Sequence, residues 1–191
     1  MHRAVTGLAV AMAWAGGLML VALIGLTCAS ILGRELNEVA QGMSDGPLRG
    51  LLLDTLGVGA INGDFELLEA GIAFAIFAFL PLAHVTGAHA SVDIFADRFG
   101  PRTDRAARAL TEVVFAAVLV LIAVQLWGGL ESKLRSGQTT LRLQFPLWWS
   151  YALAMVPAAL AALVACWMAA MRLREMVAGR AILPAAEGAD H

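Results

Sequence analysis

The chain is poor in charge. Asp, Glu, Lys and Arg make up 15% of its 191 residues, while 60% are apolar. Soluble domains usually carry about 25% charged and about 45–50% apolar residues. Too little charge is present to cover a soluble globule of this length, and a mean hydropathy of +0.76 excludes disorder. Lysine is almost missing. Lys133 stands alone among 13 basic residues, is followed by Leu134, and has no glycine-rich loop before it, which excludes a phosphate-binding P-loop. Basic residues are also outnumbered by 15 acidic ones, so no basic face exists for nucleic acid. Cysteine is scarce too. Cys28 and Cys166 sit deep in apolar runs with no metal-ligand spacing, and read as small packing residues rather than a disulfide. No HExxH, GxSxG or CxxC occurs, so the chain reads as no enzyme, without metal or cofactor.

What the chain has is four long stretches free of Asp, Glu, Lys and Arg: Ala4–Gly33, Ala70–Val92, Val113–Leu130 and Leu143–Met171. A bilayer core of about 30 Å needs about 20 helical residues. The pattern predicts an all-α integral membrane protein with spans near 8–32, 65–87, 108–131 and 147–171. These form a single membrane domain over 1–178, followed by a disordered tail at 179–191. The first run is too long for a signal-peptide core and reads as a retained anchor. Between the first two spans, Leu48, Leu51, Leu52 and Leu56 recur at helical spacing. They read either as a short amphipathic helix in the membrane interface or as an apolar loop packed on helix ends.

Trp127, Trp148, Trp149 and Tyr151 mark one interfacial belt, Trp14 and Trp167 the other. With both termini cytoplasmic, the inner flanks hold eight Arg and Lys residues against five outside, with Arg98, Arg102, Arg105 and Arg108 in one short loop. That bias places both termini inside.

Few polar groups lie within the spans. Glu66 and Glu69 fall in the first turns of the second helix, where carboxylates complement the helix dipole, and Asp64 is placed to cap it. Glu69, one turn deeper, either shares that role or has a polar partner. Gln125 in the third span reads as an interhelical hydrogen bond. His84 and His89 are five apart and do not share a face, which disfavours a metal or haem site between them. His89 and Asp93, four apart, do share one, and read as a pair fixing the entry of the loop. Ala154, Ala158, Ala162, Cys166 and Ala170 form a small-residue stripe, and Ala9, Ala13 and Gly17 a shorter one. One stripe is expected to pack inside the unit and the other against a partner. Three scattered polar side chains cannot desolvate an ion or a carboxylate, so the spans describe a helper subunit rather than a self-sufficient carrier.

The segment 62–95, NGDFELLEAGIAFAIFAFLPLAHVTGAHASVDIF, resembles the small membrane subunit of tripartite ATP-independent periplasmic (TRAP) transporters, the DctQ-like family. Its features are Glu66-Leu67 at the opening of the second helix and Gly87, His89, Val92 and Asp93 at its close. Gly33-Arg34 after the first helix and Phe145-Pro146-Leu147-Trp148-Trp149 before the last also match. Ala88 departs from the family pattern, in which Gly and His are often adjacent, and the loop 35–63 is longer than in short members. The resemblance implies a small permease subunit in the bacterial inner membrane. It would scaffold a large membrane subunit for ion-gradient-driven uptake of an organic solute, often a carboxylate, delivered by a periplasmic binding protein. Arg34, Glu66, Glu69, Gly87, His89, Asp93, Trp148, Trp149, Ala154, Ala158 and Ala162 are the candidate structural or interface residues. Two other classes compete. One is the membrane anchor of a redox complex with His84 or His89 on haem; the other is a small exporter acting as an oligomer.

Overall fold

The computed structural model describes residues 2–44, 46–55, 57–87 and 101–178. Four long helices carry the fold: α1 (His2–Gly42), α3 (Asp64–Thr86), α4 (Pro101–Ser136) and α5 (Trp148–Ala178). Each is long and apolar enough to cross a membrane. The protein is therefore an all-α membrane protein. The expected tail 179–191 lies outside the described residues, as do His89 and Asp93.

Three helices outrun their apolar cores. At 1.5 Å per residue α1 reaches about 60 Å, twice the bilayer core. Its last turns, Arg34–Gly42, carry charge yet stay helical because nothing before Gly42 breaks the backbone pattern. Likewise α4 extends from Pro101 to Ser136 rather than stopping near residue 131. The segment after α1 holds one α-turn, α2 (Pro47–Gly50), running into a π-helical turn at Leu51–Thr55. Leu52 and Leu53 are half-buried and the π-turn packs on α1, while Leu48 and Leu51 stay exposed. The segment is thus helical, as the leucine spacing suggested, and also docked on a helix end.

The helices pack in a row: α1 against α3, α3 against α5, α5 against α4. Water supplies no drive between helices in lipid, so close backbone approach must do the work. Ala9, Gly16, Leu23 and Ser30 are buried at intervals of seven along α1. A Cβ on Gly16 would come 3.0 Å from that of Ala78 on α3, and one on Gly71 of α3 would strike the Leu23 side chain. On α5 the buried line runs Ala154, Ala158, Ala161, Ala162, Ala165, Ala169, and its members from Ala161 onward join Ala116 and Leu119 of α4 in one core. Ala154, Ala158 and Ala162 therefore serve packing inside the chain. The fourfold spacing then drifts off the face, and Cys166 and Ala170 are exposed. Cys28 is exposed too, so both thiols are free and point outward rather than packing inside.

Candidate functional site

Polar contacts between helices gather at two levels. On α3 these are Asp64 and His84, 20 residues and about 30 Å apart, one bilayer core. The interior between them is apolar and alanine-rich.

At the Asp64 end, α3 opens on Gly63 in the left-handed conformation (φ +78), with no side-chain cap. Asp64 is thus the first helical residue rather than the cap. Its carboxylate accepts hydrogen bonds from the Phe65 N–H (2.9 Å) and from the Ser30 hydroxyl of α1. The Ser30 Oγ in turn accepts from the Ile61 N–H (3.2 Å). Arg34 approaches Asp64 at 3.9 Å from an exposed position. Gly33 lets the backbone of Gly59 lie directly on α1, where a Cβ would collide with the Gly59 carbonyl. The Asn37 amide donates to the Val58 carbonyl (2.6 Å). The loop after α1 is thereby tied down along the helix from which it came.

Glu66 holds the other loop. Its two carboxylate oxygens accept from the Arg142 N–H (2.7 Å) and the Leu143 N–H (2.9 Å), in the connection between α4 and α5. Leu143 covers Gly63 so closely that a Cβ there would clash. Beside it lies an apolar cavity of about 580 Å³ lined by Leu67, Leu143, Phe145, Trp148, Trp149 and Leu153. Trp148 and Trp149 meet edge to face, with ring centroids 5.8 Å apart. Gly129 of α4 leaves room for the Tyr151 ring, so Trp127, Trp148, Trp149 and Tyr151 occupy neighbouring turns at this end.

At the other end His84 is buried, 3% exposed, with its Nε2 2.8 Å from Oε2 of Glu112 on α4. The pair meets at ion-pair distance without hydrogen-bond angles. Phe115 and the imidazole meet edge to face, ring centroids 5.5 Å apart. Gly87 ends α3 in the left-handed conformation (φ +67), its N–H turned back to the last carbonyls. Val5 of α1, Val85 of α3 and Met168 of α5 share one cluster here, and Arg172 bonds Glu175 at 2.8 Å.

The candidate residues thus divide. Arg34 and Glu66 join the knot at the Asp64 end, with Trp148 and Trp149 beside it. Gly87 closes the far end of α3. Glu69 is exposed, on the side of α3 away from its neighbours. Gln125 is exposed as well and is no link between helices of this chain, which corrects the expected interhelical bond. Sequence reading missed Ser30, Asn37, the Glu112 partner of His84, and the hairpin held by Glu66. Only Ser30 and Asn37 left a trace, as members of the seven-residue series 9, 16, 23, 30, 37. Among the described residues no group of three or more His, Cys, Asp or Glu side chains could hold a metal.

Among the described residues these contacts fix helices and loops to one another. Compared with curated proteins and with solved structures, the chain matches none. A family model, tripartite ATP-independent periplasmic transporters, DctQ component, matches residues 23–175, from within the first span to near the end of the last. The chain belongs to that family, as a small permease subunit of a TRAP transporter and a multi-pass membrane protein of the bacterial inner membrane.

Proposed function

We propose that this subunit is a scaffold for the large membrane subunit of its transporter. The large subunit moves an organic solute, of which a carboxylate is the simplest case, inward on an ion gradient. A periplasmic binding protein delivers the solute, and both termini of the present chain are cytoplasmic. The observation that carries the reading is the distribution of polar groups. Links between helices lie at the two ends, and the interior between them is alanine and leucine. Among the described residues, a sodium ion or a carboxylate in that interior would meet no converging oxygens or donors, and each uncompensated charge in low dielectric costs several kcal/mol. Gln125 and Glu69, exposed on outward faces within spans, supply the kind of polar handle that a neighbouring membrane protein satisfies. Nothing supports the redox-anchor alternative: His84 turns its Nε2 to Glu112, and His89 lies outside the described residues.

The test is reconstitution. The subunit should copurify with the large subunit in mild detergent. Alone in liposomes, with a sodium gradient and binding protein supplied, it should give no uptake above empty vesicles. Adding the large subunit should restore uptake. Gradient-driven uptake by this chain alone would overturn the scaffold reading.

A further inference from the structure

α3 and α4 each pack on α5 and barely touch one another. They are joined near one end. Leu80 of α3 packs on the α4–α5 core there, and one turn further the His84 Nε2 lies 2.8 Å from the Glu112 Oε2. Both side chains are shielded, 3% and 17% exposed. Three residues before His84 stands Pro81, fully buried within the helix. It has no N–H to give the Phe77 carbonyl, and helices bend at such a break. The last turn of α3, residues 82–86, is therefore tied to its own helix by one bond fewer, and is held to α4 through an ionisable pair.

Two apolar side chains of similar size would hold the helices as well or better, whereas one buried charge without its partner is strongly unfavourable. What the pair has and two leucines lack is a dependence on protons. With two protons it is an imidazolium beside a neutral carboxyl, charge +1. With one proton it is neutral overall. With none it is a carboxylate beside a neutral imidazole, charge −1. Only the middle state puts no net charge between the helices. The charged groups on the surrounding elements are few. On α5, Arg172 and Glu175 bond each other at 2.8 Å. On α1, Arg3 is exposed, and α3 itself has no other ionisable side chain after Glu69. On α4, Arg105 lies two turns from Glu112, and Arg108, one turn away and exposed, is the cation placed to soften the state without protons.

We propose that His84 and Glu112 form a one-proton latch between α3 and α4. It is closed while the pair holds a single proton and opens at the Pro81 break when that proton is lost. The latch is independent of the scaffold reading, since it needs only this chain in a membrane.

The experiment uses the full-length chain in lipid nanodiscs, with Cys28 and Cys166 replaced. Spin labels are carried on cysteines at Thr86 and Thr111, both exposed and close in sequence to the pair. The distance between them is read as pH is raised from below to well above the ordinary imidazole value of about 6.5. The unaltered pair should give one narrow distribution that lengthens and broadens on the alkaline side. Glu112→Gln should invert the response, because the remaining imidazole is neutral at alkaline pH and charged at acid pH. His84→Gln leaves a carboxylate alone, so its latch should open at lower pH than the unaltered one. The double variant His84→Leu with Glu112→Leu should stay closed throughout. A distance in the unaltered chain that ignores pH while the single variants open would mean a fixed structural pair, and would overturn the proposal. So would a pH response that survives in the double variant, because it would come from another group.

Discussion

Glu66 shows how a residue can be read correctly in part. A carboxylate in the first turn of a helix suits the positive end of the dipole, and the sequence alone supports that. What the sequence does not carry is the pair of amides it binds, 76 and 77 residues further along. Ser30 with Asp64 and His84 with Glu112 were hidden for the same reason. Each is a single contact between residues distant in the chain, and periodicity has nothing to say about it. Removing the carboxylate with Glu66→Ala leaves two backbone donors without their acceptors. Both amides lie in exposed residues, so water takes over part of the lost bonding, but it does not hold the hairpin to α3. The expected result is a lower melting temperature in detergent and faster hydrogen exchange at Arg142 and Leu143, with Phe77 and Ala78 unaffected. Glu66→Gln keeps one acceptor oxygen and should lie between. Wild-type exchange at 142 and 143 in the alanine variant would mean that the hairpin holds itself.

At the scale of elements, the four spans were legible because a charge-free run of this length matches the thickness of a bilayer and exceeds what an ordinary core helix needs. Their ends were not. A run of apolar residues stops where the bilayer stops, whereas a helix stops where its backbone is broken, and α1 meets no breaker between Gly33 and Gly42. The small-residue stripes were legible as stripes but not as faces. A spacing of four overshoots a 3.6-residue turn by about 40° per step, so the α5 stripe leaves the core after Ala162 and the buried line passes to Ala165 and Ala169. Val164, beside the stripe, is buried too, against Met168. The physical consequence separates two members of one stripe. Ala162→Leu adds bulk where Ala116 and Leu119 of α4 are packed, and overpacking of this kind costs about 1–3 kcal/mol. Cys166→Leu adds the same kind of bulk on an exposed face and should leave the subunit's melting temperature unchanged. Equal tolerance at both sites would place the close α4–α5 contact elsewhere.

For the whole molecule, the hydrogen bonds decide which loops share a side. Ser30 and Asp64 tie the loop after α1 to the start of α3, and Glu66 ties the α4–α5 hairpin to the same turn. Ser44 and Ser136 therefore belong to one side of the slab. Val5, Val85 and Met171 come together at the other, with His84 and Glu112 near them, so Thr103 and Ala178 belong there. Which side faces the cytoplasm is a matter of charge. Eight Arg and Lys residues flank the second side against five on the first, and short loops with the excess are retained inside. With Cys28 and Cys166 replaced, single cysteines at Ser44 and Ser136 should react with an impermeant thiol reagent in intact cells. Cysteines at Thr103 and Ala178 should react only after the membrane is opened. The geometry couples the two members of each pair, so the reverse pattern would invert the whole protein. A split within either pair would mean that the loops do not share a side, and the knot around Asp64 could not then exist in the membrane.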